Sequence, residues 1–125
     1  MVRDGAVSPV ELVQSHLRQV DLRNPDLNAF VTVLAEQALE EARAREFALV
    51  RREPIGLLHG VPVTVKDSFD VAGLPTRSGS RLRSATAAAV DATAVARLRC
   101  LRLVASRVNR DTTLGWLRLR CLYTL

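Results

Sequence analysis

The sequence predicts an α/β fold, and three patterns carry the prediction. A capped amphipathic helix starts at Ser8, valines alternate with other residues over 61–66, and a helix-forming stretch after Asp91 leads into the apolar run Leu103-Val104-Ala105. Strand, helix and strand in that order suggest a βαβ unit with a parallel strand pair.

Each element has a local cause. Ser8-Pro9-Val10-Glu11 places serine at the N-cap, proline at the first helical position and glutamate three residues after the cap, which is a capping box. Val10, Val13, Leu17 and Val20 then form one apolar stripe. Asn24-Pro25 is expected to end this helix, because proline cannot continue the hydrogen-bond ladder. Phe30-Val31-Thr32-Val33 reads either as a short strand or as the lead into a second helix. Residues 35–51 are rich in alanine, leucine, glutamate and arginine, which favour helix. Ala35, Ala38, Leu39 and Ala42 mark its narrow apolar face, and Pro54 is expected to stop it.

Val61, Val63 and Val65 alternate with Pro62, Thr64 and Lys66, which is strand periodicity. Proline cannot donate to a sheet ladder, so Pro62 points to an early or edge position. Asp67-Ser68-Phe69-Asp70, Gly73-Leu74-Pro75-Thr76 and Arg77-Ser78-Gly79-Ser80 form a long loop of turn residues. Asp91 is placed as the N-cap of a third helix over 92–101, with Val95 and Leu98 inward. From Thr112 onward Leu114, Trp116, Leu117, Leu119, Leu122, Tyr123 and Leu125 are interleaved with arginines and show no clean period.

A chain of 125 residues permits one modest core. With 48% hydrophobic and 25% charged residues, disorder of the whole chain is excluded as a first reading. The longest low-charge stretch, Ser84 to Ala96, is mostly alanine and contains Asp91, so no membrane span is expected. No apolar run follows Arg3 and Asp4, so a cytoplasmic location is the expectation. Cys100 and Cys121 make neither a disulfide framework nor a metal site, and no metal or organic cofactor is expected.

The charge is unevenly spread. Residues 1–80 carry nine basic and eleven acidic side chains, whereas residues 81–125 carry nine arginines against Asp91 and Asp111. Of the 18 basic residues 17 are arginine, so Lys66 is the only lysine.

Residues 56–80 read GLLHGVPVTVKDSFDVAGLPTRSGS. The stretch combines the turn Leu58-His59-Gly60, a strand from Val61 to Asp67 that contains Lys66, the turn Phe69-Asp70, and a Pro75-Thr76 loop closing on Gly79-Ser80. In this order and spacing it resembles the front of the amidase signature domain. Upstream, Asn24-Pro25 and Leu27-Asn28-Ala29-Phe30 resemble the segment between that family's first two helices. Downstream, Asp91-Ala92-Thr93 to Leu98 looks like the helix after the loop, and Asn109 and Asp111 fall where the family has an asparagine and an acidic residue. Arg107 stands where the family has a lysine. The likeness covers roughly residues 8–99.

The resemblance implies a partial amidase-signature fold: N-terminal helices and a few strands of a mixed sheet, with most of the sheet missing. It implies hydrolysis of an amide C–N bond, or transfer of amide nitrogen, on a small-molecule amide substrate. Glutamyl-tRNA amidotransferases and free-standing amidases look alike over this region. The family's apparatus is a lysine, a bridging serine with a cis peptide bond, and a nucleophilic serine. Lys66 matches the lysine. A lysine becomes a usable base when burial disfavours its charged form.

Both serines of the family lie in a glycine- and serine-rich stretch that these 125 residues do not contain. The chain is therefore expected to be catalytically incomplete and inactive alone. Residues 1–99 are expected to be the N-terminal portion of an amidase domain, and residues 100–125 a divergent arginine-rich tail, the pattern a shifted reading frame would yield.

Simpler roles stand beside these. His59 reads as a structural histidine in a glycine-flanked turn, and His16 as solvated on the polar side of the first helix. Asp67 is expected to face away from Lys66 across the strand. Thr76 and Ser80 could line a site in a full fold, while a loop role is the default. The arginines admit two alternatives: a non-catalytic basic binding module, and a component that complements a separate chain. No helix-turn-helix, zinc-finger or RNP-like motif accompanies them, so no specific nucleic-acid partner is expected.

Overall fold

The computed structural model describes residues 2, 4–56, 58–100 and 104–109, the last span for its backbone alone. The elements run α1 (Pro9–Leu27), β1 (Phe30–Val33), α2 (Ala35–Val50), β2 (Pro62–Lys66), α3 (Thr93–Cys100) and β3 (Val104–Asn109). The readings of Leu103, Asp111, Trp116, Cys121 and Tyr123 lie outside the described residues.

The capping box at α1 forms as the sequence predicts. The Val10 and Glu11 N–H groups donate to Ser8 Oγ at 3.0 and 3.4 Å, and the Ser8 N–H donates to the Glu11 carboxylate at 3.2 Å. Ser8 Oγ also donates to the Glu46 carboxylate on α2, so the cap ties the two helices together. The end of α1 differs from expectation. The helix passes through Pro25 and stops at Leu27. Pro25 forfeits one ladder donor, yet the ladder continues past it to the Asn28 N–H. The stop is made by Asn28, which adopts φ 46° and donates its N–H to the Asn24 carbonyl at 2.7 Å.

Helix α2 ends at Val50, before Pro54 can act. Arg52 takes φ 55°, its N–H donates to Leu49 O, and the Glu53 N–H donates to Ala48 O, both at 3.0 Å. These two bonds form a Schellman cap with arginine in the position that favours glycine. A left-handed non-glycine residue costs about 1–2 kcal/mol, and glycine returns about 0.5–1 of that as unfolded-state entropy. Arg52→Gly is therefore expected to raise stability by about 0.5–1 kcal/mol. A lower urea midpoint for the variant would contradict this account of the cap.

The apolar stripe of α1 and the alanine face of α2 meet. Val13, Leu17, Ala38 and Ala42 form a buried cluster, with Val10, Ala35 and Leu39 packed around it. The small alanines let the helix backbones approach closely. A second cluster joins Val65 of β2 to Val71 of the following loop and Val95 of α3, with Leu74 and Ala92 at its margin.

Phe30–Val33 resolves as a strand. Among the described residues the sheet has three strands in the order β1-β3-β2. β2 and β3 are parallel, and α3 lies in the crossover between them, which is the expected βαβ unit. β1 pairs with β3 antiparallel, so the sheet is mixed. Pro62 opens an edge strand, where its missing N–H costs no ladder bond. Strand β3 reaches Asn109, beyond the short run the sequence suggested. Among the described residues no helix is long and apolar enough to cross a membrane.

Candidate functional site

Lys66 is the last residue of β2. Val65 before it is buried in the second cluster, so alternation along the strand turns Lys66 to the other face, where it is exposed. Three backbone features fix its position. Its Cα is in register with Asn109 of β3, and Asn109 is also in register with Phe30 of β1. Its carbonyl accepts the Phe69 N–H at 3.0 Å, which closes the turn leaving the strand. The third feature is its neighbour.

Asp67 is 4% exposed, and its acceptors are all engaged. One carboxylate oxygen accepts the Arg77 N–H at 3.1 Å and the other accepts the Gly79 N–H at 3.4 Å. The Asp67 carbonyl accepts the Ser78 N–H at 3.1 Å. Ser78 and Gly79 both have positive φ, 48° and 71°, which curls three successive N–H groups around the aspartate. The same two residues form a tight β-turn, closed by the Ser80 N–H donating to the Arg77 carbonyl at 2.9 Å. The end of β2 and the loop at 77–79 are thereby brought together.

The entry to β2 is fixed by a different contact. His59 is 1% exposed, and its Nε2 lies 2.9 Å from the Arg45 carbonyl of α2. A carbonyl only accepts, so Nε2 carries the proton. His59 is thus the structural turn residue that its setting suggested. Nδ1 is buried without a hydrogen-bond partner among the described residues.

Asp91 does not cap α3. The helix begins at Thr93, and the Asp91 carboxylate accepts the Ala72 N–H at 2.8 Å and pairs with Arg99 at 3.2 Å. The Asp70 carbonyl accepts the Ala92 N–H at 2.8 Å instead. The long loop is therefore pinned to the start of α3 at two points. Thr76 and Ser80 are half-buried in that loop, and Ser80 Oγ accepts the Leu82 N–H at 3.2 Å. His16 is exposed on α1. Among the described residues no group of three or more histidine, cysteine or acidic side chains could hold a metal ion.

Sequence reasoning missed two residues that shape this region. Asn24 accepts the Phe30 N–H at 2.8 Å and donates to the Phe30 carbonyl at 3.2 Å, completing both backbone bonds at the start of β1. Its place before a proline, with a short amide side chain, is the available signal. Asp67 carried a signal too: a carboxylate on the inward face of a strand must find donors.

A mixed sheet with two packed helices before it, a lysine ending β2 and a pinned glycine-serine loop define the class as α/β. The family model described as Amidase matches residues 11–104. The chain belongs to the amidase family.

It is 42% identical over 78 residues to an indoleacetamide hydrolase of Bradyrhizobium diazoefficiens, covering 62% of this chain and 15% of that protein. It is 38% identical over 111 residues to a glutamyl-tRNA(Gln) amidotransferase subunit of Bdellovibrio bacteriovorus, covering 88% of this chain and 22% of the relative. Among solved structures it resembles a bacterial aryl acylamidase of the amidase signature family, with a TM-score of 0.75 and 29% identity over 88% of this chain and 23% of that one. A structure described as an amidase matches with a TM-score of 0.77 and 33% identity, over 87% of this chain and 25% of that one. The chain thus spans a quarter or less of the length of these relatives.

Proposed function

We propose that this chain supplies the lysine-bearing front portion of an amidase domain, which hydrolyses an amide C–N bond or transfers amide nitrogen. The observation that carries the proposal is the place of Lys66, at the end of β2 inside a family match over residues 11–104. In this reading the Lys66 amine takes a proton from a bridging serine, which takes one from a nucleophilic serine. The serine oxygen then attacks the amide carbonyl of a small-molecule substrate. The leaving amine or ammonia receives the proton, water releases the acyl group as a carboxylic acid, and in the transfer reaction the freed ammonia passes to an acceptor.

Both serines must come from residues beyond these 125. Desolvation is what makes a lysine a base, and the described residues leave Lys66 exposed. Several apolar side chains are exposed as well, among them Leu22 at 71%, Val50 at 76% and Val90 at 73%. A downstream portion of the domain, in the same polypeptide or as a complementing chain, would cover such residues and supply the nucleophile. The proposed location is the cytoplasm.

We also propose that the arginine-rich end is a divergent segment from a shifted reading frame. The family match runs past residue 100 to residue 104, which favours a start of divergence after 104. Reading the DNA in all three frames tests this, and a frame that restores a glycine- and serine-rich stretch is the expected result. The central reading has its own test. The purified 125-residue chain is expected to show no turnover of a simple primary amide. Turnover that disappears in Lys66→Ala would overturn the claim that the chain is incomplete.

A further inference from the structure

We propose that Asp67 is a positioning residue for Lys66: its buried carboxylate clamps the loop at 77–79 to the end of β2 and so fixes where the lysine side chain leaves the strand. The proposal rests on the reading of Lys66 as the lysine of the site, and it adds the device that holds it.

The clamp is built from both ends of one residue. Asp67 commits its two carboxylate oxygens to the N–H groups of Arg77 and Gly79, and its carbonyl to the Ser78 N–H. Ser78 Oγ lies 3.4 Å from that same carbonyl and is a further donor to it. A carboxylate that is 4% exposed needs such partners, because an unpaired buried charge is costly. Bonds to an ionised acceptor are also stronger than neutral ones. Ser78 and Gly79 are the two left-handed central residues of a tight β-turn that the Ser80 N–H closes on the Arg77 carbonyl at 2.9 Å, and Asp67 takes the N–H groups this turn leaves on its other side.

The consequence falls on Lys66 because the two residues share a peptide bond. Strand alternation sends the Asp67 side chain inward and the Lys66 side chain outward. With Asp67 held at three backbone donors and the Lys66 carbonyl held by Phe69, the last peptide of β2 has no freedom to rotate. The lysine amine is then confined to one cone above the sheet. A loosened clamp frees the strand end to twist and spreads the amine over many positions.

Two measurements test this. In the unmodified chain the Arg77 and Gly79 amides are expected to be protected from hydrogen exchange, although both residues are exposed. Asp67→Asn keeps the shape and one acceptor but places an amide group against a donor. It is expected to speed exchange at Arg77 and Gly79 by about ten- to a hundredfold, the loss expected for a bond to a charged acceptor. The second readout is the side-chain NMR signals of Lys66, which the single lysine makes specific to label. In Asp67→Asn the separate shifts of the two Lys66 Cε protons are expected to merge as the side chain spreads over many positions, while α1 and α2 keep their exchange protection.

A variant that loses the loop protection and leaves the Lys66 side-chain signals unchanged would overturn the positioning role and leave Asp67 as loop glue. Unprotected Arg77 and Gly79 amides in the unmodified chain would overturn the clamp itself, whether or not Asp67→Asn folds. Neither readout is turnover, so failure of the amidase reading and failure of the clamp are separately visible.

Discussion

Gly60→Ala is expected to destabilise the fold by about 2–5 kcal/mol, a large part of the ~5–15 kcal/mol that holds an ordinary domain together. Two independent costs add. Gly60 has φ +75°, a conformation that costs a residue with a Cβ about 1–2 kcal/mol. The added Cβ would also lie 2.9 Å from Pro9 Cγ and 3.0 Å from Pro9 Cβ. Pro9 is a fully buried ring locked in the first turn of α1, so it cannot swing aside. Overpacking of this kind costs about 1–3 kcal/mol. Gly73→Ala is the matched control, because Gly73 has φ +83° and nothing within 4 Å of the added atom. Urea midpoints should fall for both variants, and further for Gly60→Ala. Equal shifts would show that the contact with Pro9 carries no weight. The position matters because it seats the turn before β2 against the start of α1, and β2 ends on Lys66.

Much of this architecture was legible because its causes are local. The capping box at Ser8, the stripe of Val13, Leu17 and Val20, and the alternation over 61–66 each need only neighbouring residues. The parallel pairing of β2 with β3 followed from order alone, since strand, helix and strand leave few other topologies. The misreadings share a different origin. Pro25 looked like a stop by its chemistry, but it costs a single ladder bond near the helix end, and Asn28 supplied the true cap. Pro54 likewise stood behind a cap made by Arg52, a residue with no propensity for the part.

The candidate site shows the same division. Lys66 was found through motif spacing. The residues that hold its surroundings were not, because their partners are distant in sequence. Asp67 reaches ten to twelve residues ahead, Asp91 nineteen residues back to Ala72, and His59 fourteen residues back to Arg45. No local pattern records such pairings. What the sequence did contain was the problem each one solves: a carboxylate on an inward strand face, an acid beside a helix start, an imidazole in a closed turn. Asking where each polar group finds its partner would have singled out all three.

The second large effect concerns Lys66. General acid–base groups contribute about 10²–10⁴ in rate, so removal of the amine is expected to reduce turnover by that factor wherever the domain is complete. Arg77, Ser80 and the exposed helix residues carry no comparable penalty, since none is given a proton to move. A chimera provides the completed domain: residues 1–109 of this chain replace the matching front portion of the bacterial aryl acylamidase that it resembles. The chimera is assayed on an aryl acylamide, with and without Lys66→Ala. The account predicts hydrolysis by the chimera and its loss by about 10²–10⁴ in the variant. Hydrolysis that survives Lys66→Ala, or a chimera with native-like circular dichroism and a cooperative melt that hydrolyses nothing, would contradict it.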